Sequence, residues 1–159
     1  MKIYKFFNLI LLIIFTQFIT SCSSNSSMKP EDFKDKKPRL IIEEYLAGEV
    51  KAWGILQNRS GKVTRQFSAT LNGKWDGTQL ILDETFNWDD GEIQNRQWKI
   101  NKIDEHNYEG TAGDVVGKAK GFSYGPAFKF EYVLLVPVKG KKMKITFDDW
   151  IFMQDEKVA

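Results

Sequence analysis

Four charged side chains stand where the sequence otherwise places apolar ones. Arg65 alternates with Val63 and Phe67, Glu84 with Leu82 and Phe86, Arg96 with Trp98, and Asp149 with Phe147 and Ile151. A charge taken out of water without a partner is costly, so these groups must pair, meet solvent or hold something. One reading is a structural ion-pair network, with bulges turning some of the groups outward. The other is a polar floor in a ligand cavity, gripping a head group while aromatic walls hold an apolar tail. Arginine suits that task, because its planar fork donates two parallel hydrogen bonds to a carboxylate or phosphate. Arg65, Glu84, Arg96, Trp98 and Asp149 are therefore the ligand-binding residues this pattern suggests.

Catalysis finds less support. His106 is the only histidine and lies in "DEHNYEG", read as an exposed loop or strand end. One histidine and one cysteine do not make the usual zinc sets. No nucleophile-elbow motif accompanies a serine. Asp148–Asp149 and Asp89–Asp90 are adjacent pairs, and neighbours on a strand face opposite sides. Neither pair can act on one substrate atom. No catalytic residue, metal or cofactor is expected, and an enzyme would rest on Arg96 and Asp149 alone. The glycines of "VVGKAKGFSYG" lack the strand-to-helix setting of a phosphate loop. They leave a face with almost no side chain, which suits a barrel corner or a ligand passing close by.

The elements that must position these groups follow from period-two alternation. Val63, Phe67, Ala69 and Leu71 share one face of "KVTRQFSATL"; Leu80, Leu82, Phe86 and Trp88 share one in "QLILDETFNW". Trp98 with Ile100, then Phe128, Phe130, Tyr132, Leu134 and Val136, then Met143, Ile145, Phe147, Ile151 and Met153 continue the pattern. Turn signals separate the runs: "NRSG" at 58–61, "NG" at 72–73, "DG" at 76–77, "DDG" at 89–91 and "VKGKK" at 138–142. Such dipeptides supply the positive φ that hairpins need. The expectation is an all-β, antiparallel, up-and-down barrel of about eight strands, preferred over a sandwich because closure removes free edges. "LIIEEYLAG" is either a first strand or one helical turn.

The start of the chain gives an address. Lys2 and Lys5 precede the apolar "FFNLILLIIFTQFI" and then small residues, the layout of a secretory signal at 1–21. Cys22, the single cysteine, follows in "ITSC", which resembles the lipobox of bacterial lipoproteins. The expected lipidation residue is Cys22, whose thioether would carry the acyl chains that anchor the protein. Ser23 behind it suits the outer membrane, periplasmic face, rather than the inner membrane. Residues 22–38 are serine- and charge-rich and are expected to be a flexible tether, with the domain at 39–159. Of the 23 Lys and Arg, two lie in the acid-free leader, so the remainder balances the 21 acids. No basic stripe marks a nucleic-acid partner.

Several stretches together resemble a known family. "YLAGEVKAWGILQNRSGKVTRQF", "LDETFNWDDGEIQNRQWKI", "YEGTAGDVVGKAKG" and "FDDWIFMQ" are similar to the bacterial lipoproteins catalogued as domain of unknown function 3833. The likeness runs from about Tyr45 to Gln154 and marks Trp53, Gly54, Arg59, Gly61, Arg96, Trp98, Gly110, Asp114, Gly117, Gly121, Asp148, Asp149 and Trp150 as family-pattern positions. It implies a lipocalin-like β-barrel and no particular reaction. Pro126 stands in "SYGPAF" where the family usually has asparagine. The resemblance also implies a further strand after "DDW", so the barrel is expected either to close with fewer strands or to be incomplete at its C-terminus.

The combined expectation is a membrane-anchored periplasmic lipoprotein whose barrel binds a small apolar or amphipathic ligand. The alternative is an envelope structural or assembly protein with a packed barrel and a protein partner. That alternative leans on outward aromatics such as Trp150 and Phe152.

Overall fold

The computed structural model describes residues 27–138, 140–155 and 157–159. The signal at 1–21 and Cys22 lie outside the described residues. Among the described residues eight strands follow one another: β1 (Gly48–Gln57), β2 (Val63–Trp75), β3 (Gln79–Trp88), β4 (Ile93–Lys102), β5 (Asn107–Thr111), β6 (Ala119–Tyr124), β7 (Ala127–Val138) and β8 (Lys141–Phe152). Each pairs antiparallel with the next, and the order in the sheet is the order in the chain. The sheet curls into half a barrel, because β1 and β8 do not pair with each other.

The alternation sets which face is concave. Opposite residues point to the same side, and the register joins Leu71 to Glu84, Glu84 to Arg96, and Leu82 to Trp98. On the far side it joins Phe130 to Asp149 and Tyr132 to Phe147. Hairpins turn at Gly61, Gly77, Gly91 and Gly140, all with positive φ. The expected turn at 72–73 is not one. Asn72 and Gly73 lie within β2, and Gly73 serves packing: a Cβ there would meet the Leu46 carbonyl oxygen at 1.8 Å.

That carbonyl belongs to a plug. "LIIEEYLAG" forms one helical turn, α1 (Ile42–Tyr45), across one end of the half-barrel. Leu40, Ile42 and Leu46 are buried there against Leu80, Ile100, Tyr108 and Phe128. The glycine face of β6 is filled from within, since a Cβ on Gly121 would stand 3.0 Å from the Phe128 ring. The small residue makes room for an aromatic of the same chain.

Part of the segment read as tether is folded onto the sheet. Pro30–Phe33 form a 3-10 turn with Pro30 buried. Phe33 lies edge-on to Phe152, with ring centroids 5.1 Å apart, and to Trp150 at 6.3 Å. Phe33 covers two rings on the convex face of β8, and its carbonyl packs on Gly125, where a Cβ would come within 2.0 Å of it.

Candidate functional site

The concave face is graded from its plugged end to its open end. Along β3, Leu80 and Leu82 are buried, Glu84 comes next, and Phe86 and Trp88 lie half-buried toward the opening. Each inward step along a strand advances about 6.6 Å. Polar groups are handled differently in the three zones.

At the plugged end they are matched. Glu43 on α1 is 4% exposed. It accepts hydrogen bonds from Lys102 Nζ at 2.5 Å and from Tyr108 Oη at 2.9 Å. Burial works to raise its carboxyl, but the hydrogen bonds from Lys102, its own backbone and Tyr108 prevail and hold it below the ordinary range. Ser123 Oγ donates to the Leu40 carbonyl at 3.2 Å.

In the middle lies a band of charge. Glu84 and Arg96 face inward from paired positions on β3 and β4, with Arg96 Nη1 3.6 Å from Glu84 Oε2. Arg96 directs its fork instead at Asp114 in the loop after β5, through Nε at 3.1 and 3.2 Å and Nη2 at 2.8 Å. Burial acts to lower the guanidinium, but Asp114 and Glu84 more than offset it. Across the band, Tyr132 of β7 donates its hydroxyl to Asp149 of β8. Trp98 packs beneath, 5.0 Å from Phe130 and 5.1 Å from Tyr132 between ring centroids.

Glu84 is the least provided member. Its Oε2 is buried without a hydrogen bond. Burial pushes its carboxyl up to about 7, and the charge of Arg96 only partly opposes this. Asp149 is also raised, first by burial, against the pull of the Tyr132 hydroxyl and the Arg96 charge. A polar cavity of about 680 Å³ opens where short β5 leaves the first half of β4 paired on its β3 side alone, and Arg96, Gln94, Thr111 and Asp114 line it.

At the open end, Phe67, Phe86 and Trp88 form an aromatic cluster with centroids 5.1 to 6.4 Å apart. The Arg65 guanidinium carbon lies over Trp88, 4.0 Å from the ring centroid. It is held by Asp90 and Glu92 at 2.8 Å each. Arg65 Nε and Trp88 Nε1 are buried without partners. Among the described residues these two atoms and Glu84 Oε2 are the buried side-chain polar atoms left unmatched, and all three belong to inward positions on β2 and β3.

The structure therefore brings together Glu84, Arg96, Trp98 and Asp149, four of the five residues singled out. Arg65 stands apart, six residues and about 20 Å along β2 from the position facing Glu84. Arg96 and Asp149 act on one another by charge, each hydrogen-bonded elsewhere. Asp114 and Tyr132 were not singled out as site residues. Asp114 sits in a loop, where alternation carries no information, although the family pattern marks it; Tyr132 shows itself only as an inward aromatic with a hydroxyl that needs a partner. His106 is not simply exposed: it stacks on Tyr124 at 4.1 Å, and its Nδ1–H donates to the Ser123 carbonyl at 2.8 Å.

No curated protein and no solved structure matches the chain. The family described as "Protein of unknown function (DUF3833)" matches residues 16–159. With nearly the whole sequence covered, including every strand and the charged band, the chain belongs to that family.

Proposed function

We propose that the protein is a lipid-anchored envelope protein whose concave wall binds a small amphipathic ligand. The observation that carries this reading is the uneven treatment of buried polar groups. Native proteins pair nearly all of them, and exceptions call for an explanation. Here the plugged end pairs Glu43 and Ser123, while Arg65, Glu84 and Trp88 in the open half keep unmatched atoms. The polar part of a ligand would meet the band around Arg96 and Asp114, and its apolar part would lie over Phe67, Phe86 and Trp88. Because Arg96 is engaged by Asp114, it is a poor grip for an incoming anion, which departs from the use first suggested for it. Anchoring through Cys22 at the periplasmic face of the outer membrane is the accompanying proposal, supported by the "ITSC" sequence.

The test is native mass spectrometry of the full chain extracted from membranes in mild detergent, with lipid analysis of what it releases. Tryptophan fluorescence is then titrated with dodecyl amphiphiles of either charge. A retained molecule, or a saturable change in the wild type that Phe86→Asp abolishes without unfolding, is expected. No retained molecule and no saturable change overturns the ligand reading. Cys22→Ser should release the protein from the membrane fraction.

The structural alternative gains less. Trp150 and Phe152, the aromatics it leaned on, are covered by Phe33 of the same chain.

A further inference from the structure

Three hairpins turn at the open end of the half-barrel, away from α1. The register of β1–β2 ends there at Gln57 and Val63, that of β3–β4 at Asn87 and Ile93, and that of β7–β8 at Val138 and Lys141. Among the described residues ten large hydrophobic side chains are exposed, and seven of them lie in this half of the sheet. Leu56, Val63, Ile93 and Met143 stand at or beside the turns, with Ile93 64% exposed. Trp53, 74% exposed, and Ile55 follow on β1. Single apolar residues on a surface need no explanation, but a gathering at one end marks a face that meets something.

Cations gather at the same end. Beyond the leader the formal charge of the chain is zero, yet residues 50–75 and 132–147 contain no acid. Arg59 and Lys62 are exposed at the β1–β2 turn, and Lys141, Lys142 and Lys144 at the β7–β8 turn. None of these five has an ion pair among the described residues, whereas Lys102, Lys118 and Lys129 each have one. The β3–β4 turn carries Asp89, Asp90 and Glu92, and Arg65 engages the last two. Positive charge is therefore in excess at this rim. It is concentrated on the two hairpins that flank the gap between β1 and β8.

The mixture selects the partner. Met143 stands between Lys142 and Lys144, and Val63 follows Lys62. Apolar side chains interleaved with lysines suit the boundary between headgroups and acyl chains of an anionic bilayer. Lysine stems lie along apolar surface there while the ammonium reaches the headgroups. Tryptophan is favoured at the same level. We infer that the open rim docks on an anionic lipid bilayer, with Leu56, Val63, Ile93 and Met143 entering the headgroup layer and the unpaired cations facing lipid phosphates. Both basic hairpins are internal to the chain, so the docking does not depend on what pairs with the outer edges of β1 and β8. Nor does it depend on whether the concave wall takes a ligand. Phe33 seats the start of the domain beside Phe152, about 36 Å along β8 from Lys141. The chain from Cys22 to Pro30 spans about 28 Å at full stretch. An anchor at Cys22 and the rim therefore reach one bilayer with the barrel tilted onto the side of β8 and β1.

The test reconstitutes the full chain into vesicles of phosphatidylcholine, alone or mixed with phosphatidylglycerol. Lysines are acetylated with a membrane-impermeant reagent, and each site is read by mass spectrometry. Lys99 and Lys120, exposed on the convex face of β4 and β6, serve as internal references. Relative to them, Lys62, Lys141, Lys142 and Lys144 should react about tenfold more slowly once phosphatidylglycerol is present. Leu56→Ser with Met143→Ser, at exposed positions, should restore most of that reactivity. Equal reactivity in the two kinds of vesicle overturns the proposal. So does protection that survives the double serine variant and is matched by inorganic polyphosphate in detergent, which would mean a charged patch for an acidic macromolecule.

Discussion

Replacing Glu84 by glutamine should stabilise the fold at alkaline pH and leave it little changed in mild acid. The side chain is 11% exposed, one carboxyl oxygen has no donor, and burial pushes the carboxyl from 4.5 to about 7. The folded protein therefore keeps a proton that the unfolded chain releases. Stability is fullest below about pH 4.5 and falls as pH rises toward and past 7, where the folded state must carry the buried charge. Holding the carboxyl near 7 corresponds to about 3 kcal/mol between pH 4.5 and pH 8, and about 2 kcal/mol is a safer expectation once relaxation is allowed. Glutamine keeps the shape and cannot ionise. Urea unfolding followed by tryptophan fluorescence, at steps from pH 5 to pH 8.5, gives the comparison. The wild-type free energy should decline across the window, and the variant should decline less by about 2 kcal/mol. The difference cancels the groups that do not interact with Glu84, and what remains belongs to Glu84 together with Arg96, Asp149 and Asp114, the charges it is coupled to. Parallel profiles would refute the reasoning, because they would show that Glu84 ionises in the fold as easily as in water.

Three further outcomes follow from the same geometry. Gly73→Ala places a Cβ 1.8 Å from the Leu46 carbonyl and should cost about 2–4 kcal/mol in urea unfolding, since backbone rather than a flexible side chain must move. Arg96→Leu leaves Glu84 and Asp114 without their cation and should cost about 3–5 kcal/mol at pH 8, with part recovered near pH 5 as Glu84 takes up a proton. Tyr132→Phe removes the donor to Asp149 and should cost about 1–2 kcal/mol, while raising the Asp149 carboxyl further, as a carboxyl-resolved NMR titration would show.

Much of the fold was legible because strands with one dry face write their geometry into every second residue. The inward sets on β2, β3, β4, β7 and β8 read directly, and with them the placing of Glu84, Arg96 and Asp149 on one wall. What failed was where a tertiary contact outranks a local signal. Asn72–Gly73 is the strongest kind of hairpin dipeptide, yet the strand runs through it because α1 needs the space above Gly73. Phe33 lies among charges that mark a solvated tether, and it is tertiary contact, with the aromatic pair on β8 and with Gly125, that gives it a seat. Within the site, Arg96 was legible and its true partner was not. Asp114 reaches it from a loop without periodicity, and the register of the strands says nothing about how that loop folds back.

The charged band sits where the fold changes character, and its position bears on its purpose. Toward α1 the interior is filled by large apolar groups and every polar atom named there has a partner. Toward the opening, aromatic side chains face inward but remain half exposed, and among the described residues two polar atoms there, with Glu84 Oε2 in the band, are left unmatched. A buried ion pair adds little stability over well-packed apolar residues of similar size, and often less than none. Stability alone therefore gives no reason to keep Glu84, Arg96 and Asp149 on an inner wall otherwise built from Leu, Phe and Trp. Sequences that specify one fold break local rules chiefly where function requires it. The plugged half supplies a rigid footing for the band, and the open half leaves its polar atoms facing a wall that something else can complete.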